Sequence, residues 1–385
     1  MTITRVTHEP GQHFFGYYDK CPWDPSGRYL LAMEAEAPDR MPTPEDRLHL
    51  GVIDLQGRGR FEPFATTRAW CWQQGTMLQW VPNQPHRTVV FNDRREGAFV
   101  GVALDLESGR ERVLPRPIYA LSRDGRQAVG LNFARLNDVR PGYGYAGLTD
   151  PWAAVDAPAD DGVYHIDLVR GTAALAASYA QVVAVAHTTD MDGNKTWFNH
   201  CQFSTDDGRV FFLHRWDVPG RPRQHRGFTM NPDGANLRLA WDTRYISHFD
   251  WRSPHEILAW TETARGARGY YVADERSGAA RAVGMGVLTE DGHCSYRPGG
   301  GWIVNDTYPD ARHLRTLLLH RERDDLRLDL ARFLSPPELE GPLRCDLHPR
   351  WNRDGTQICI DSAHEGSRQM YLVDVSTPLT SADRV

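Results

Sequence analysis

Long hydrophobic runs are missing from this 385-residue chain. No stretch approaches the roughly 18–20 apolar residues that a membrane helix needs, so no membrane partner is expected. An excess of basic charge is missing too: 44 Lys and Arg stand against 50 Asp and Glu, a net of −6. That balance gives no reason to expect a nucleic-acid partner. Cysteine is scarce, with six residues (Cys21, Cys71, Cys201, Cys294, Cys345, Cys359) that are too sparse for a disulfide framework. The N-terminal MTITRVTHEP lacks a basic region leading into an apolar run, so a cytoplasmic location is expected. Helical periodicity is almost absent. What is present is a globular balance, 41% hydrophobic and 24% charged, with 34 Gly and 25 Pro marking many turns.

Short β-rich runs recur, and one pattern returns seven times: an aromatic or apolar residue, a polar turn, then an apolar strand. The copies are Trp23-DPSGRYLLAM, Trp80-VPNQPHRTVVF, Leu121-SRDGRQAVGL, Phe203-STDDGRVFFL, Trp251-RSPHEILAW, Tyr296-RPGGGWIVN and Trp351-NRDGTQICI. Each is followed by a further strand pair with its own turn. The anchors are 57, 41, 82, 48, 45 and 55 residues apart, and four strands at such a period fit the blades of a β-propeller. The expected fold is therefore all-β, a seven-bladed propeller of four-stranded antiparallel blades forming a single domain over 1–385. The last copy leaves little chain for an outer strand, so the N-terminal TITRV is expected to supply it and close the ring. A two-domain β-sandwich is the rival, but sandwiches do not repeat their turn chemistry in register. The 82-residue gap holds Pro141-GYGYAGL and Met191-DGNKTW, read as long loops.

Three residues before the anchor, copies four to seven read His200, His248, His293 and His348, and copy one reads Lys20. In a propeller that register repeats at one rim of the central channel, so residues 45 to 55 apart in sequence become neighbours. One such histidine is most simply a rim side chain bonding to the next blade. Four at one register point to a metal or catalytic site, because imidazole is both a common ligand and a proton carrier near neutral pH. Cys345 precedes His348 by three, a C-x-x-H spacing that lets thiolate and imidazole converge on one ion. Cys345 also reads as a small buried apolar residue, and Cys21, Cys201, Cys294 and Cys359 read as packing residues. Loops opening on the same rim carry His214-Arg215, Arg221 to Arg226, Asp306-Thr-Tyr308 and His364-EGSRQ with Arg368, and Arg350 follows His348 by two. Several cations around one opening suggest an anionic ligand. Trp197 and Trp216 are candidates to stack on a sugar face.

The seven-copy pattern with SHFDW, DGHCSY and LHPRWNRDG resembles the oligogalacturonate lyases, intracellular seven-bladed propellers that carry a divalent metal. HFFGYYDKCPWD and NHCQFS are also similar to the propeller lyases that cut ulvan and other uronate glycans. The resemblance spans nearly the whole chain and is most specific at His248, His293 and His348. It implies His248 as the base, with an arginine near Arg223, and His293 with His348 as ligands of a metal that is usually manganese. Two departures stand out. Cys345 replaces a glutamine, which softens the site and shifts the expectation towards zinc. Arg350 replaces a histidine, which removes a ligand and adds a fixed cation.

The implied reaction is β-elimination from a uronate-containing oligosaccharide, leaving a 4,5-unsaturated sugar. The C5 proton is too weakly acidic to leave unless something cationic stabilises the charge building on the carboxylate. The expected metal, zinc or manganese, sits on His293, His348 and Cys345, with help from Arg223 or Arg350. His248 takes the proton, and His200 is either a further ligand or a second acid–base group. Arg215, Arg350 and Tyr308 are expected to bind substrate, and Tyr308, Tyr17 and Tyr18 are weaker candidates to protonate the leaving oxygen. The alternative is a non-catalytic propeller that binds anionic glycans or a protein partner and uses its metal as a staple. A propeller hydrolase would want paired carboxylates; Asp250 and Asp306 qualify in type, but no such pair recurs.

Overall fold

A computed structural model describes residues 1–36, 40–57, 59–84, 87–263 and 266–383. The turn residues Pro85 and His86 of the second repeat lie outside the described residues. The strands make seven four-stranded antiparallel sheets, the architecture of a seven-bladed β-propeller. Blade one runs Gln12–Phe14, Tyr29–Ala35, Leu48–Asp54 and Phe61–Thr67. Blade two runs Gln79–Trp80, Thr88–Arg95, Ala98–Asp105 and Glu111–Leu114, and blade three Ala120–Leu121, Gln127–Gly130, Gly162–Asp167 and Thr172–Ser178. Blade four comprises Thr196–Phe203, Val210–Trp216, Gln224–Met230 and Arg238–Arg244. Blade five comprises Ile246–Trp251, Glu256–Glu262, Arg268–Asp274 and Ala280–Val283. Blade six comprises Ser295–Tyr296, Trp302–Asp306, Leu314–Arg321 and Leu326–Leu334. Blade seven takes Arg350–Trp351, Gln357–Ser362 and Gln369–Asp374, and its fourth strand is Ile3–Arg5, as expected. Ile3 pairs with Val373 and Arg5 with Tyr371.

The repeated turns have one physical basis. In five copies the residue after the anchor donates its backbone N–H to the carbonyl five residues on: Asp24 to Tyr29, Ser122 to Gln127, Ser204 to Arg209, Arg297 to Trp302 and Asn352 to Gln357. A short polar side chain then braces the loop, as where Asp24 accepts from the Ser26 and Tyr29 N–H groups. The anchors also join consecutive blades. The Trp80, Trp251 and Trp351 indoles donate to the carbonyls of Pro22, Gln202 and Ser295, each one residue before the anchor of the preceding copy. This recurring bond explains why an aromatic with a donor is favoured at the register.

By internal contacts the chain divides into two compact units. Unit one holds Met1–Val90, Leu104–Arg110 and Glu290–Val385, and so blades one, six and seven. Unit two holds Phe91–Ala103 and Glu111–Thr289, and so blades three, four and five. Blade two shares its residues between them. In unit one Trp302, Leu317, Trp351, Ile358 and Tyr371 pack together, and in unit two Phe211, Trp241, Phe249, Trp251 and Ile257 do so. The second strand of blade four is buried at all seven positions, as a strand covered on both faces must be.

In the long gap residues 141–148 carry no helix or strand, as expected, and the strand Thr196–Phe203 begins within the second expected loop. The gap also contains two short helices, Phe133–Val139 and Tyr179–Val185. Asn132 caps the first through the Arg135 N–H, and Ser178 with Gln181 makes a reciprocal capping box on the second. Seven residues are too few for a helical period to show in sequence. A third helix, Ser376–Asp383, follows the last blade.

Candidate metal centre and the histidine register

The register position carries backbone strain as well as histidine. His200 and His348 have positive φ, 55° and 43°, and Met77 at the same register of blade two has 56°. A non-glycine residue in the left-handed region costs on the order of 1–2 kcal/mol, so the fold holds these side chains in place against a local preference.

In unit one the register builds a cluster. His293 is 1% exposed, and the chain reaches it through Gly292, where an added Cβ would lie 1.7 Å from the Asp306 carbonyl oxygen. That close approach lets Asp306 Oδ1 accept from both the His293 backbone N–H (2.7 Å) and ring Nδ1 (2.9 Å). With Nδ1 engaged, the lone pair of the neutral ring sits on Nε2, the arrangement by which a carboxylate orients a metal-ligating histidine. The His348 ring crosses that of His293 at 81° with 4.3 Å between centroids. One ligand atom each from His293, Asp346 and His348 lie within 4.8 Å of one another, and all three residues are buried.

Fixed charges set the protonation of this cluster. Burial opposes ionisation of Asp346, but Arg344 and Arg315, then His293 and His348, hold it well below the usual carboxylate range. Arg344 Nε donates to Oδ2 at 2.6 Å, whereas Arg315 Nη2 lies 2.7 Å from Oδ1 without hydrogen-bonding geometry. Oδ1 therefore keeps a lone pair to offer. Asp306 is also lowered: burial opposes this, and the His293 ring and N–H outweigh it. Burial, then repulsion from His293, keeps His348 well below its ordinary value and hence neutral. Its Nε2 is buried, 3.9 Å from Asp346 Oδ2, with no hydrogen-bond partner among the described residues. Two imidazoles and one carboxylate converging in this way fit the donor set of a divalent ion.

The third member of the cluster corrects the sequence expectation. Cys345 is not in it; the thiol packs with Leu339 and Ala363, and burial raises it to about 11. Residues 344–349 run without helix or turn, with Asp346 Oδ2 3.9 Å from His348 Nε2 and the Cys345 thiol packed elsewhere. Asp346 and His348 thus face together and Cys345 faces away. The D-x-H spacing was the available signal, and it lay one residue from the C-x-x-H that drew attention.

Arg350 also departs from its expected role. It is 1% exposed, pairs with Asp361 (2.6 and 3.2 Å), and donates to the carbonyls of Gly16 (2.6 Å) and Tyr17 (3.2 Å). Its guanidinium is spent inside the protein, and through this clamp it positions Tyr17. The Tyr17 ring lies 5.0 Å from that of His348, and Tyr18 5.4 Å from that of His293. Tyr308 is 36% exposed with its ring 6.2 Å from His293.

The remaining sequence candidates lie in unit two. His200 is buried, and its Nδ1 is 3.2 Å from the Tyr119 hydroxyl. His248 is 5% exposed, with Ser247 Oγ 3.3 Å from its Nδ1, in a stretch where the blade-five register shifts between Ile246 and Phe249. Arg223 is held by Asp217 (2.9 and 3.2 Å) and lies over the Trp197 ring. Arg215 is 3% exposed, and its Nε and Nη1 have no hydrogen-bond partner among the described residues. Trp197 and Trp216 are 1% and 0% exposed, so neither offers the sugar platform expected of it. His214 is enclosed by Phe198, Trp216 and Phe228, and burial drives it down to about 3.

A seven-bladed propeller with a buried His–Asp–His cluster is the class these observations define. Among solved structures the chain is similar to an oligogalacturonate lyase in complex with manganese, at 17% identity and a TM-score of 0.71 over 98% of this chain and 94% of that one. It is similar to an oligogalacturonate lyase from Vibrio parahaemolyticus at 14% identity and a TM-score of 0.69, with the same shares of each chain. A prolyl endopeptidase is similar at 12% identity and a TM-score of 0.57, over 95% of this chain and 48% of that one. At these identities the likeness is one of fold. No family model and no curated protein matches the chain. No helix among the described residues is long and apolar enough to cross a membrane.

Proposed function

We propose that the protein is a metal-assisted lyase that cleaves uronate-containing oligosaccharides by β-elimination. The reading is carried by one observation, the convergence of His293, Asp346 and His348 with Asp306 orienting the first ring. It draws support from the likeness to a lyase that holds manganese. A donor set of two imidazoles and a carboxylate, with no thiolate, suits manganese as well as zinc. A divalent ion bound there supplies Lewis acidity towards the uronate carboxylate.

The other roles fall to this chain's own side chains. Arg215 is the guanidinium assigned to the substrate's carboxylate, because Arg223 is tied to Asp217 and Arg350 to Asp361. His248 takes the C5 proton on Nε2, with Ser247 holding Nδ1. As that bond breaks, the C4=C5 double bond forms and the C4–O4 bond is lost. His200, steadied by the Tyr119 hydroxyl, returns a proton to the departing O4.

A second reading has its own observation. The three ligand residues are only 1–3% exposed, which suits a metal that staples blades in a protein that merely binds anionic glycans. Incubation with galacturonate, glucuronate and iduronate oligosaccharides, with and without chelator, separates the two. A lyase produces new ultraviolet absorbance from the conjugated product, and chelation abolishes it. If no uronate gives an unsaturated product with metal-replete protein, the lyase reading falls and the stapled binder replaces it.

A further inference from the structure

Unit two contains a cavity of about 380 Å³ that lies apart from every residue assigned above. Half of its lining comes from the segment between the second and third strands of blade three, the long insertion that the other blades lack. Its walls are apolar: Phe99, Leu131, Leu148, Pro151 and Trp152. Its one charged side chain is Arg116, half-buried, with Cζ 4.1 Å from the centroid of the Tyr164 ring. Stacking on an aromatic face orders a guanidinium while leaving its N–H edge open to an acceptor. The Arg116 guanidinium has no hydrogen-bond or ion-pair partner among the described residues; only its backbone carbonyl is engaged, by the Gly101 N–H.

Of the other polar side chains here, only the Thr149 hydroxyl is without a partner among the described residues. Asn132 donates to Asp150 and Asp161 and accepts from the Arg135 N–H. The Trp152 indole donates to Asp160, and the Tyr164 hydroxyl to Asp161. A sugar ring needs several hydrogen-bonding partners, and this pocket cannot supply them. A flat apolar ring with a single anionic end matches both the walls and the lone cation.

We propose that this cavity is a binding site for a planar aromatic carboxylate, its ring between Trp152 and Phe99 and its carboxylate on Arg116. The insertion keeps it formed: Arg135, fully buried, donates to the carbonyls of Trp152, Val155 and Asp156 and pairs with Asp150. The proposal goes beyond the lyase reading and does not depend on it.

Calorimetric titration of the full-length protein with 4-hydroxycinnamate and with its neutral amide tests the assignment. For a ligand of about a dozen heavy atoms, affinity of high-micromolar order is expected for the carboxylate. The amide should bind roughly tenfold or more weakly, the usual worth of a charge-assisted contact. Arg116→Gln should weaken the carboxylate to the level of the amide and leave the amide unchanged, a control internal to one variant. Trp152→Ala should weaken both. Absence of binding by either compound, equal binding of the two, or an Arg116→Gln variant that keeps the preference overturns the proposal.

Discussion

The histidines of the two units share one register but not one environment. In unit one His293 sits against Asp306 and His348 near Asp346, and Asp346 is in turn held ionised by Arg344 and Arg315. In unit two His200 and His248 meet hydroxyl groups, from Tyr119 and Ser247, and the buried Arg215 has no ion-pair partner among the described residues. A carboxylate-backed imidazole is a better cation ligand, and a hydroxyl-backed one keeps the freedom to take and return a proton. The same repeat position therefore serves two chemistries, and the group beside the imidazole, carboxylate or hydroxyl, is what differs.

Removing a ligand tests the first half of that contrast and should have the largest effect. His348→Ala or Asp346→Asn is expected to take the metal content of purified protein from about one ion to near zero and to abolish uronate cleavage. Cys345→Ala should leave both unchanged, and a loss of metal in that variant would restore the thiolate assignment. Elemental analysis with a parallel cleavage assay reads all three. The second half of the contrast is tested by His248→Ala, which should keep fold and metal while losing roughly 10²–10⁴-fold in turnover, the span of general-base catalysis. Wild-type turnover in that variant would move the base elsewhere, with His200 the next to test.

The fold was legible because its signals are local and repeated. Each aromatic or apolar anchor, each polar turn and each apolar strand can be read within about a dozen residues, and seven copies reinforce one another. The terminal strand was legible from what the last copy lacked. The site was legible only in part. The histidine register survived because it follows the repeat, but the partners that decide each role come from elsewhere. Asp306 reaches His293 across a strand pair, and Arg315 reaches Asp346 from another strand, although Arg344 lies only two residues from it. Arg350 was misjudged for the same reason: nothing near it in sequence announces Asp361 or the Gly16 carbonyl. Asp346 was hidden because the rarer thiol beside it completes a C-x-x-H spacing, whereas its own D-x-H spacing with His348 forms no familiar motif.

A smaller effect probes orientation rather than ligation. Asp306→Asn keeps the size of the side chain but removes the charge that holds the His293 proton on Nδ1. Loss of such a supporting carboxylate typically weakens metal binding 10–100-fold, so competition against a chelator should report a shift of that order. An unchanged affinity would mean that the orientation of His293 comes from packing against Tyr17 and Tyr18 alone.

Acid sensitivity should separate the units by a smaller step. His214 and His225, both on blade four, are buried and lowered to about 3, His214 by burial and then Arg226, His225 by burial and then Arg140 and Arg223. Neither faces a carboxylate that would reward protonation: the neighbours of His214 are aromatic rings, and His225 is 2.5 Å from the Ile246 carbonyl. In the unfolded chain each titrates near 6.5, so the unfolded state takes up the proton first. The stability they confer is complete above about pH 6.5 and drains as pH falls towards 3, by up to about 1.4 kcal/mol per pH unit for each histidine. His214→Leu keeps an apolar side chain among Phe198, Trp216 and Phe228 and has no proton to bind, so it should remove one share of that slope. The thermal midpoint of wild type should therefore drop more between pH 7.5 and 5.5 than that of His214→Leu, and amide exchange should quicken first in blade four. Parallel midpoints for the two proteins across that range would show that His214 is not the buried neutral group that blade four makes of it.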